Sequence, residues 1–459
     1  MDLRNRLLLP AMLLLTAAPA AAQLGPSPRA AGVSGAFSAL ARGSEATDWN
    51  PANLALPDNP TMSVALARLN LVGTIFGPDA RDVVDILNKG SDLTDADRAT
   101  FLATVPESGL EVRADGQVPW AALSIGPFAI SVTTVGHVAA SVGKSLIDMA
   151  LYARQYGELD DDRLDEYRVG NTAFRDVVYT KFAASYAIEL NPWLPVLPFP
   201  TTLGVTGRYV RGHDLQRGRL FEPRVDIIAS DIYITALAIQ SPGGSGYGLD
   251  LGVAARPLPS LTVGLAVENV LQKMEWDADP EDLVLRGDEF AGSEFSDLSA
   301  MDIYDRLQPR PFDPSTAPPE AFGLLEDLLT QAHFPRILRI GAGLDLGLTR
   351  VGATYKTTQG KGELTTGWPN YLAVGVEQTL PFLTSLTLRA GLANSLDGAS
   401  ALSAGTTLGL GPLGLSVALT KLTGNDDSGD DSFDSQRFAE RIAAGSGYAF
   451  SVGLTVGGR

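Results

Sequence analysis

The sequence predicts an all-β fold: a transmembrane antiparallel β-barrel of about fourteen strands, with an N-terminal plug in the lumen and partly helical outer loops. Three observations predict it. The chain begins with an export leader but has no later apolar helix, its segments alternate apolar with small residues, and its connections alternate between short and long. These are the marks of outer-membrane barrels.

Residues 1–22 have the pattern of a signal peptide. Arg4 and Arg6 supply the positive front, residues 7–15 are mostly leucine, and alanines 20–22 give a small-residue cleavage site. Beyond residue 23 no window offers the roughly 18 apolar residues of a membrane helix. A membrane-inserted form would therefore have to cross with strands.

Composition excludes several classes of protein and site. The chain has no cysteine, which excludes a lipid-anchored form, a disulfide framework and thiolate metal sites. Its formal net charge is −18, and such an acidic chain argues against nucleic-acid partners, which favour basic patches.

Strict alternation defines the strands. In residues 448–456, YAFSVGLTV, every second residue is large and apolar while the others are small. Residues 261–268, LTVGLAVE, repeat the pattern. The alternative is a soluble β-sandwich, but its second face would show Lys, Glu and Thr to water. Here that face is mostly Gly, Ala, Ser and Thr, which favours a lipid-facing outside and a small-residue lumen.

The connections predict the barrel's orientation, with residues 61–459 forming the wall. Short turns are expected at 126–127, 191–200, 256–260, 346–349, 381–384 and 411–412. Longer outer loops are expected at 77–119, 143–173, 213–245, 271–334, 358–368, 395–399 and 424–447, with a large insertion at 271–333. Residues 225–240 resemble a strand, but counting them breaks the even number that closure requires, so we assign them to an outer excursion.

Helical turns are predicted within three of these loops. Thr94 and the acidic residues after it are typical of a helix start, and residues 145–156 and 319–332 have helical patterns.

Residues 23–60 are expected to form the plug. Asn50 is a good N-cap and Pro51 suits the first helical position, so a turn of helix should reverse the chain into the first strand. The preceding residues are small except for Phe37, which we expect to anchor the segment in a lumen lined by Gly and Ala. The alternative is an N-terminal arm on the surface.

The stretch GAFSALARGSEATDWNPANLAL resembles the N-terminal hatch of the FadL-type transporters of hydrophobic compounds, a group that includes PorV-like barrels. Asn50-Pro51-Ala52 matches their motif before the first strand, and residues 246–270 resemble the mid-barrel hairpin of the PorV-like branch. The resemblance implies a fourteen-stranded barrel in the outer membrane of a Gram-negative-type bacterium. It implies hatch roles for residues of this stretch: Phe37, Arg42, Trp49, Asn50, Pro51 and Ala52.

Two functions follow from the resemblance. The first is passive uptake of hydrophobic small molecules such as fatty acids. The alternative is a barrel that transports nothing and serves protein secretion or surface assembly through partner proteins. Outer-membrane lipid is a partner in either case. For the first function, apolar outer-loop residues are candidates for solute contact: Phe101, Leu102, Ile147, Met149, Leu151, Leu324 and Leu328.

Alternation also assigns charged residues to the lumen, where ionisable groups in a membrane protein are usually paired. The mixed signs favour ion pairs that hold the plug, rather than a selective ring of one sign. The residues are Asp250, Glu268, Arg339, Asp345, Glu377 and Arg389.

Catalytic and cofactor signals are weak, and we expect no enzyme. The three histidines are far apart, no G-x-S-x-G context is present, and the G-x-G-x-x-G at 409–414 spans a turn rather than opening a helix. No metal or other cofactor is expected. The acidic runs at 160–162 and 425–431 could hold Ca²⁺ or Mg²⁺, but solubilising loop charge is the simpler interpretation.

Overall fold

The computed structural model describes residues 25–76, 86, 89, 94–106, 109–144, 147–148, 173–226, 231–277, 283–291, 309–311, 333–360, 364, 368–396, 398–411, 413–423 and 446–456. Its strands are β1 (Met62–Phe76), β2 (Leu110–Ile125), β3 (Phe128–Val142), β4 (Ala173–Glu189), β5 (Thr201–Asp226), β6 (Asp231–Ser241), β7 (Gly244–Leu258), β8 (Leu261–Trp276), β9 (Leu283–Ala291), β10 (Pro309–Pro311), β11 (Arg336–Asp345), β12 (Thr349–Gln359), β13 (Tyr371–Leu380), β14 (Leu383–Ser395), β15 (Ser400–Leu410), β16 (Leu413–Thr423) and β17 (Ser446–Val456). Its helices are α1 (Pro28–Gly32), the 3₁₀ helices η1 (Gly43–Asp48) and η2 (Pro51–Ala55), and α2 (Asp95–Thr104).

Fourteen strands form one closed antiparallel barrel. The ring runs through β1 to β5, β7, β8 and β11 to β17, and β17 pairs with β1 to close it. Closure leaves no edge strand in the ring. A sheet in lipid has to be closed in this way, because no water is present to form hydrogen bonds with unpaired backbone groups. The predicted fold class and strand number are confirmed.

Among the described residues, three strands lie outside the ring. Residues 201–212 of β5 pair with β7 in the wall, whereas residues 215–226 continue past it and pair with β6. β6 then pairs with β9, and β9 with the short β10. Residues 225–226 and 231–240 therefore belong to this extension at the outer end and do not disturb the even count.

The outer face of the barrel is apolar. Along each wall strand the exposed residues are mostly large aliphatic or aromatic side chains, and the buried ones between them are small or polar. Examples on the outer face are Leu66, Leu71, Ile130, Phe182, Leu265, Ile340, Leu372, Val374, Leu388, Leu392, Leu402, Leu419 and Phe450. An apolar exterior on a closed barrel is the surface that lipid solvates, and it places the protein in an outer membrane.

Two predicted loop boundaries are corrected. β2 begins at Leu110, inside the connection expected at 77–119, because Glu111 and Asp115 face the lumen and interrupt the apolar alternation there. β8 continues to Trp276, beyond the expected start of the insertion at residue 271, with Lys273 and Glu275 exposed. The insertion also contributes β9 and β10.

The helix predicted to start at Thr94 is present as α2. Thr94 and Asp97 form a reciprocal capping box, and hydrogen bonds from Lys89 and Thr94 lower the pKa of Asp97 to about 2. The helix expected at 319–332 and most of that at 145–156 lie outside the described residues. Within the described part of the chain, no helix has the length and apolarity needed to cross a bilayer.

Candidate functional site

The N-terminal segment crosses the lumen of the barrel. α1 packs against strands β14 to β17, η1 packs against β1 to β4, and η2 packs against β4, β5 and β7. The segment therefore touches opposite sides of the wall. It forms the plug that the sequence predicts.

Asn50 and its neighbours fix the plug to one side of the wall. The Asn50 Oδ1 atom accepts a hydrogen bond from the Ala52 amide at 3.1 Å and so caps η2, as expected of an extended residue before Pro51. Its Nδ2 atom donates to the Val253 carbonyl of β7 at 3.1 Å. The Thr202 hydroxyl of β5 donates to the Ala52 carbonyl at 2.8 Å. One asparagine thus caps the turn and joins it to the barrel.

Asn53, which ends the Asn-Pro-Ala-Asn run, ties η2 to the rest of the plug. Its Nδ2 atom donates to the carbonyls of Ser38 and Ala41 at 2.8 and 3.1 Å, and the side chain is fully buried. These bonds satisfy two carbonyls that the irregular turn before η1 leaves without helical partners.

Glycines in the wall let the plug backbone approach closely. A Cβ atom at Gly204 of β5 would lie 2.3 Å from the Ala52 nitrogen, and one at Gly252 of β7 would lie 2.1 Å from Asn50 Oδ1. Across the barrel, a Cβ atom at Gly391 of β14 would lie 2.2 Å from the Val33 carbonyl carbon. The glycine content of the wall strands therefore has a steric cause at these positions.

Phe37 lies in the apolar centre of the plug. Its ring is fully buried and meets Trp49 edge to face, with centroids 5.7 Å apart. Arg29 lies over the Phe37 ring and Arg339 over the Trp49 ring, each at 5.1 Å. The cluster continues into the wall through residues that include Trp368, Tyr371, Ala373, Ala393, Ala401 and Leu422.

A chain of charges links the plug to the wall. Arg29 pairs with Glu45 of the plug at 2.9 Å and with Glu377 of β13 at 3.2 Å. Arg389 of β14 reaches Glu377 at 2.5 Å, and Arg68 of β1 lies 3.5 Å from Glu45. Each buried carboxylate is thus shared by two guanidinium groups, which offsets its desolvation. Alternation in the sequence assigned Glu377 and Arg389 to the lumen, but it gave no indication of a role for Arg29, Glu45 or Arg68.

Arg42 holds the inner end of the plug. It pairs with Asp58 at 3.0 Å, and Arg256 approaches the same carboxylate at 3.4 Å. Burial opposes the charged form of Asp58, but the two guanidinium groups outweigh it and lower the pKa of Asp58. Burial also lowers the pKa of Arg42.

Three other charged residues assigned to the lumen line a cavity above the plug. Asp250 pairs with Arg208 and accepts the Asn269 amide at 2.8 Å, and Glu268 pairs with Arg339. Asp345 does not join them. It lies at the turn between β11 and β12 and pairs with Arg350 at 3.1 Å.

The cavity is small and polar. It measures about 60 Å³ and lies between the plug residues Pro26, Thr47 and Asp48 and the wall. At about 10–15 Å³ for each water, it has room for about four to six molecules. Pockets for drug-sized ligands measure about 300–1,000 Å³. The cavity is therefore too small for such a ligand.

An apolar cluster roofs this cavity on its outer side. The Tyr179 and Phe334 rings meet edge to face at 5.3 Å, and a backbone hydrogen bond of 3.1 Å from Leu364 to His333 joins the two loops that contribute Phe334 and Leu364. The cluster comprises Val135, Val177, Tyr179, Val210, Leu215, Phe334 and Leu364, with Met274 and Trp276 packed against it. Large apolar side chains inside the lumen of a membrane barrel need an explanation, since lumen faces are usually polar.

Sequence analysis missed this cluster, although part of the signal was present. Val177 and Tyr179 share the inward face of β4 with Lys181, Ala183 and Ser185, so two large apolar residues stand on an otherwise small or polar face. Phe334 and Leu364 come from loops, where no sequence periodicity shows whether a side chain points into the lumen.

The predicted solute-contact residues are only partly described. Phe101 is buried on α2, and Leu102 and Ile147 are partly buried. Met149, Leu151, Leu324 and Leu328 lie outside the described residues, as do the acidic runs at 160–162 and 425–431. Among the described residues, no group of three or more His, Asp or Glu side chains could hold a metal ion.

Comparison with known proteins gives structural matches only. No family model and no curated protein sequence matches the chain. A FadL homologue of Pseudomonas aeruginosa aligns over 95% of this chain and 99% of its own, with 12% identity and a TM-score of 0.46. The toluene transporter TodX of Pseudomonas putida covers 95% and 98%, with 11% identity and a TM-score of 0.47.

A deltaS2S3 mutant of the TodX monoaromatic hydrocarbon channel aligns over 94% of this chain and 98% of its own, with 10% identity and a TM-score of 0.50. The chain has the FadL-type barrel fold. At such identity the likeness concerns the fold alone, and the solute has to be argued from this chain's own residues.

Proposed function

We propose that this FadL-type barrel is an outer-membrane channel for passive uptake of small hydrophobic molecules, closed in its resting state by the N-terminal plug. The observation that carries the proposal is the apolar cluster around Tyr179, Phe334 and Leu364, which lies in the lumen on the outer side of the plug. The deltaS2S3 mutant of TodX, a monoaromatic hydrocarbon channel, has the same type of fold.

The cluster favours apolar solutes for a physical reason. A solute that enters between Phe334 and the wall exchanges its own hydration for apolar contact and gains roughly 25 cal/mol for each Å² removed from water. A sugar would have to give up hydrogen bonds to water without finding equivalents there. The outer-loop residues Phe101, Leu102 and Ile147 would provide earlier contacts on the same route.

Passage then requires the plug to move. Beyond the cluster a solute meets the cavity of about 60 Å³, and below it the plug, with its ion pairs to Glu377 and its seat on Gly204 and Gly391. The apolar cluster around Phe37 also packs the plug against the wall. Bound solute therefore has to compete with them to open a path.

A catalytic role is not part of the proposal. His137 Nδ1 is 2.6 Å from Asp115 Oδ1 within the wall, and His213 Nε2 is 2.8 Å from the Thr180 hydroxyl. Each contact gives one nitrogen of the ring a hydrogen-bond partner. Neither histidine stands beside an activated nucleophile with an oxyanion site.

The alternative is a barrel of the PorV-like kind that serves secretion or surface assembly. The observation that favours it is the set of apolar residues exposed on the inner rim, among them Trp193, Val196 and Phe382. A fluorescent label at Val196 distinguishes a protein partner from lipid at this surface, because only lipid contact allows quenching by brominated lipids.

Replacing Phe334 by Ser tests the channel proposal. We expect Phe334→Ser to lower uptake of an aromatic hydrocarbon into proteoliposomes by roughly tenfold, the factor that corresponds to about 1.4 kcal/mol. Full burial of such a side chain is worth about 1.5–3 kcal/mol. Uptake is measured with a radiolabelled solute.

The matched control is Phe382→Ser, the same change at an exposed phenylalanine outside the lumen, which should leave uptake per inserted barrel unchanged. Equal uptake by wild type and Phe334→Ser, or faster uptake by the variant, would show that the solute does not bind the apolar cluster on its way through the barrel.

A further inference from the structure

The turn between β4 and β5 is unusually long for the inner rim. It spans residues 190–200, eleven residues with four prolines and no charged side chain. The turns that join β2 to β3, β7 to β8, β11 to β12, β13 to β14 and β15 to β16 have two or three residues each. Closing the barrel therefore does not require this length.

The turn has a fixed backbone. Asn191 Oδ1 accepts the Thr201 amide at 2.7 Å, and Asn191 Nδ2 donates to the Phe199 carbonyl at 2.9 Å. The amides of Trp193 and Leu194 both donate to the Leu190 carbonyl, at 2.9 and 2.8 Å. The direction of its side chains is thus set by the fold.

This fixed backbone presents large apolar side chains to the surroundings. Trp193 is 78% exposed and Val196 85% exposed. In water such exposure forfeits the hydrophobic free energy that burial would provide. A contiguous exposed apolar surface on a protein normally marks a contact with lipid or with another protein.

The lipid-facing wall that precedes this turn also carries exposed aromatic residues. The Phe128 ring of β3 packs on Tyr186 of β4 with centroids 4.5 Å apart, and both are exposed on the outer face near this rim. The Ala187 amide donates to the Pro127 carbonyl at 3.1 Å, which joins the neighbouring turn to β4. Aromatic side chains at this level match the girdles that barrels place at membrane interfaces.

A second exposed aromatic lies nearly opposite. Phe382, at the turn between β13 and β14, is 97% exposed. In the ring of fourteen strands this turn is six positions from the β4–β5 turn in one direction and eight in the other. The two sites thus lie on opposite sides of the barrel.

We propose that residues 190–200 insert Trp193 and Val196 into the inner leaflet of the outer membrane, with Phe382 as the opposing contact, so that the barrel is held at a fixed depth. Lipid is favoured over a periplasmic protein because the segment carries no charge and directly follows β4, whose outer face carries the exposed Phe182 and Tyr186. Tryptophan also prefers the headgroup level, where its ring is half apolar and its N–H finds a partner.

The absence of cysteine makes a direct test simple. The single thiol introduced by Val196→Cys is labelled with an environment-sensitive nitrobenzoxadiazole dye, and the protein is reconstituted into phosphatidylcholine vesicles. We expect a blue-shifted emission that loses most of its intensity in lipids brominated near the headgroup. Ser260→Cys, in the two-residue turn between β7 and β8, is the matched control and should be quenched much less.

Three results would overturn the proposal. One is quenching of the Val196 label by aqueous iodide and not by brominated lipid. This result would show that the surface faces water and is available to a soluble partner. Another is energy transfer between two differently labelled samples, which would assign it to a second copy of the chain. The third is equal lipid quenching at Val196 and Ser260. Leu194→Cys serves as a second site if Val196→Cys fails to fold, as judged by heat-modifiable migration on a gel.

Discussion

Deleting residues 29–42 is expected to raise the conductance of the barrel in planar bilayers from near zero to that of an open pore. The deletion removes Phe37 and the backbone that seats on Gly391, so one side of the lumen loses its filling. The apolar cluster remains at the outer mouth. Combining the deletion with Phe334→Ser should therefore raise the conductance further.

The wall should survive this deletion. Its strands are joined by main-chain hydrogen bonds around a closed ring, and Arg389 still pairs with Glu377 after Arg29 is removed, so that carboxylate is not left alone. Heat-modifiable migration on a gel verifies the fold. Unchanged conductance in a folded variant would mean that residues 29–42 are not the barrier.

Substituting Gly204 by Ala is expected to loosen the plug without opening the wall. The added methyl group would lie 2.3 Å from the Ala52 nitrogen and from the Pro51 carbonyl carbon, which are backbone atoms that cannot rotate away. Overpacking of this kind costs about 1–3 kcal/mol. Since about 1.4 kcal/mol is a factor of ten, the undocked fraction of the plug should rise roughly 5- to 150-fold.

A buried thiol reports the undocked fraction. Ser38 is fully buried in the plug, so the thiol introduced by Ser38→Cys should react with a membrane-impermeant maleimide only when the plug leaves its seat. The matched control is Gly207→Ala on the same strand, where an added methyl group meets nothing within 4 Å. Equal labelling rates in the two backgrounds would show that the glycine at 204 is not a seat for the plug.

Much of the barrel was predictable because lipid and closure impose simple rules. Outward residues such as Leu402 and Phe450 must be apolar, inward ones are small, and the ring needs an even number of strands. Asn50 and Pro51 were readable because capping is local in sequence. The start of β2 was mispredicted, because Glu111 and Asp115 look like loop residues until the polar lumen is known.

The contacts that join the plug to the wall could not be predicted. Arg29 and Glu377 are 348 positions apart, and their pairing depends on where the plug lies across the barrel. The same holds for Tyr179 of β4 and Phe334, which are far apart in sequence and meet only because the residues just before β11 place Phe334 in the lumen. Alternation shows which face a residue takes, but not which residue it meets across the lumen.

The central claim is that the lumen selects for apolar solutes, and a comparison of solute uptake tests it most directly. Proteoliposomes carrying the wild-type chain are given an aromatic hydrocarbon or a long-chain fatty acid in one sample and a sugar of similar mass in the other. Rates are corrected for protein-free liposomes. We expect protein-dependent uptake of the apolar solute and none of the sugar. Equal protein-dependent rates, or faster sugar uptake, would contradict the claim.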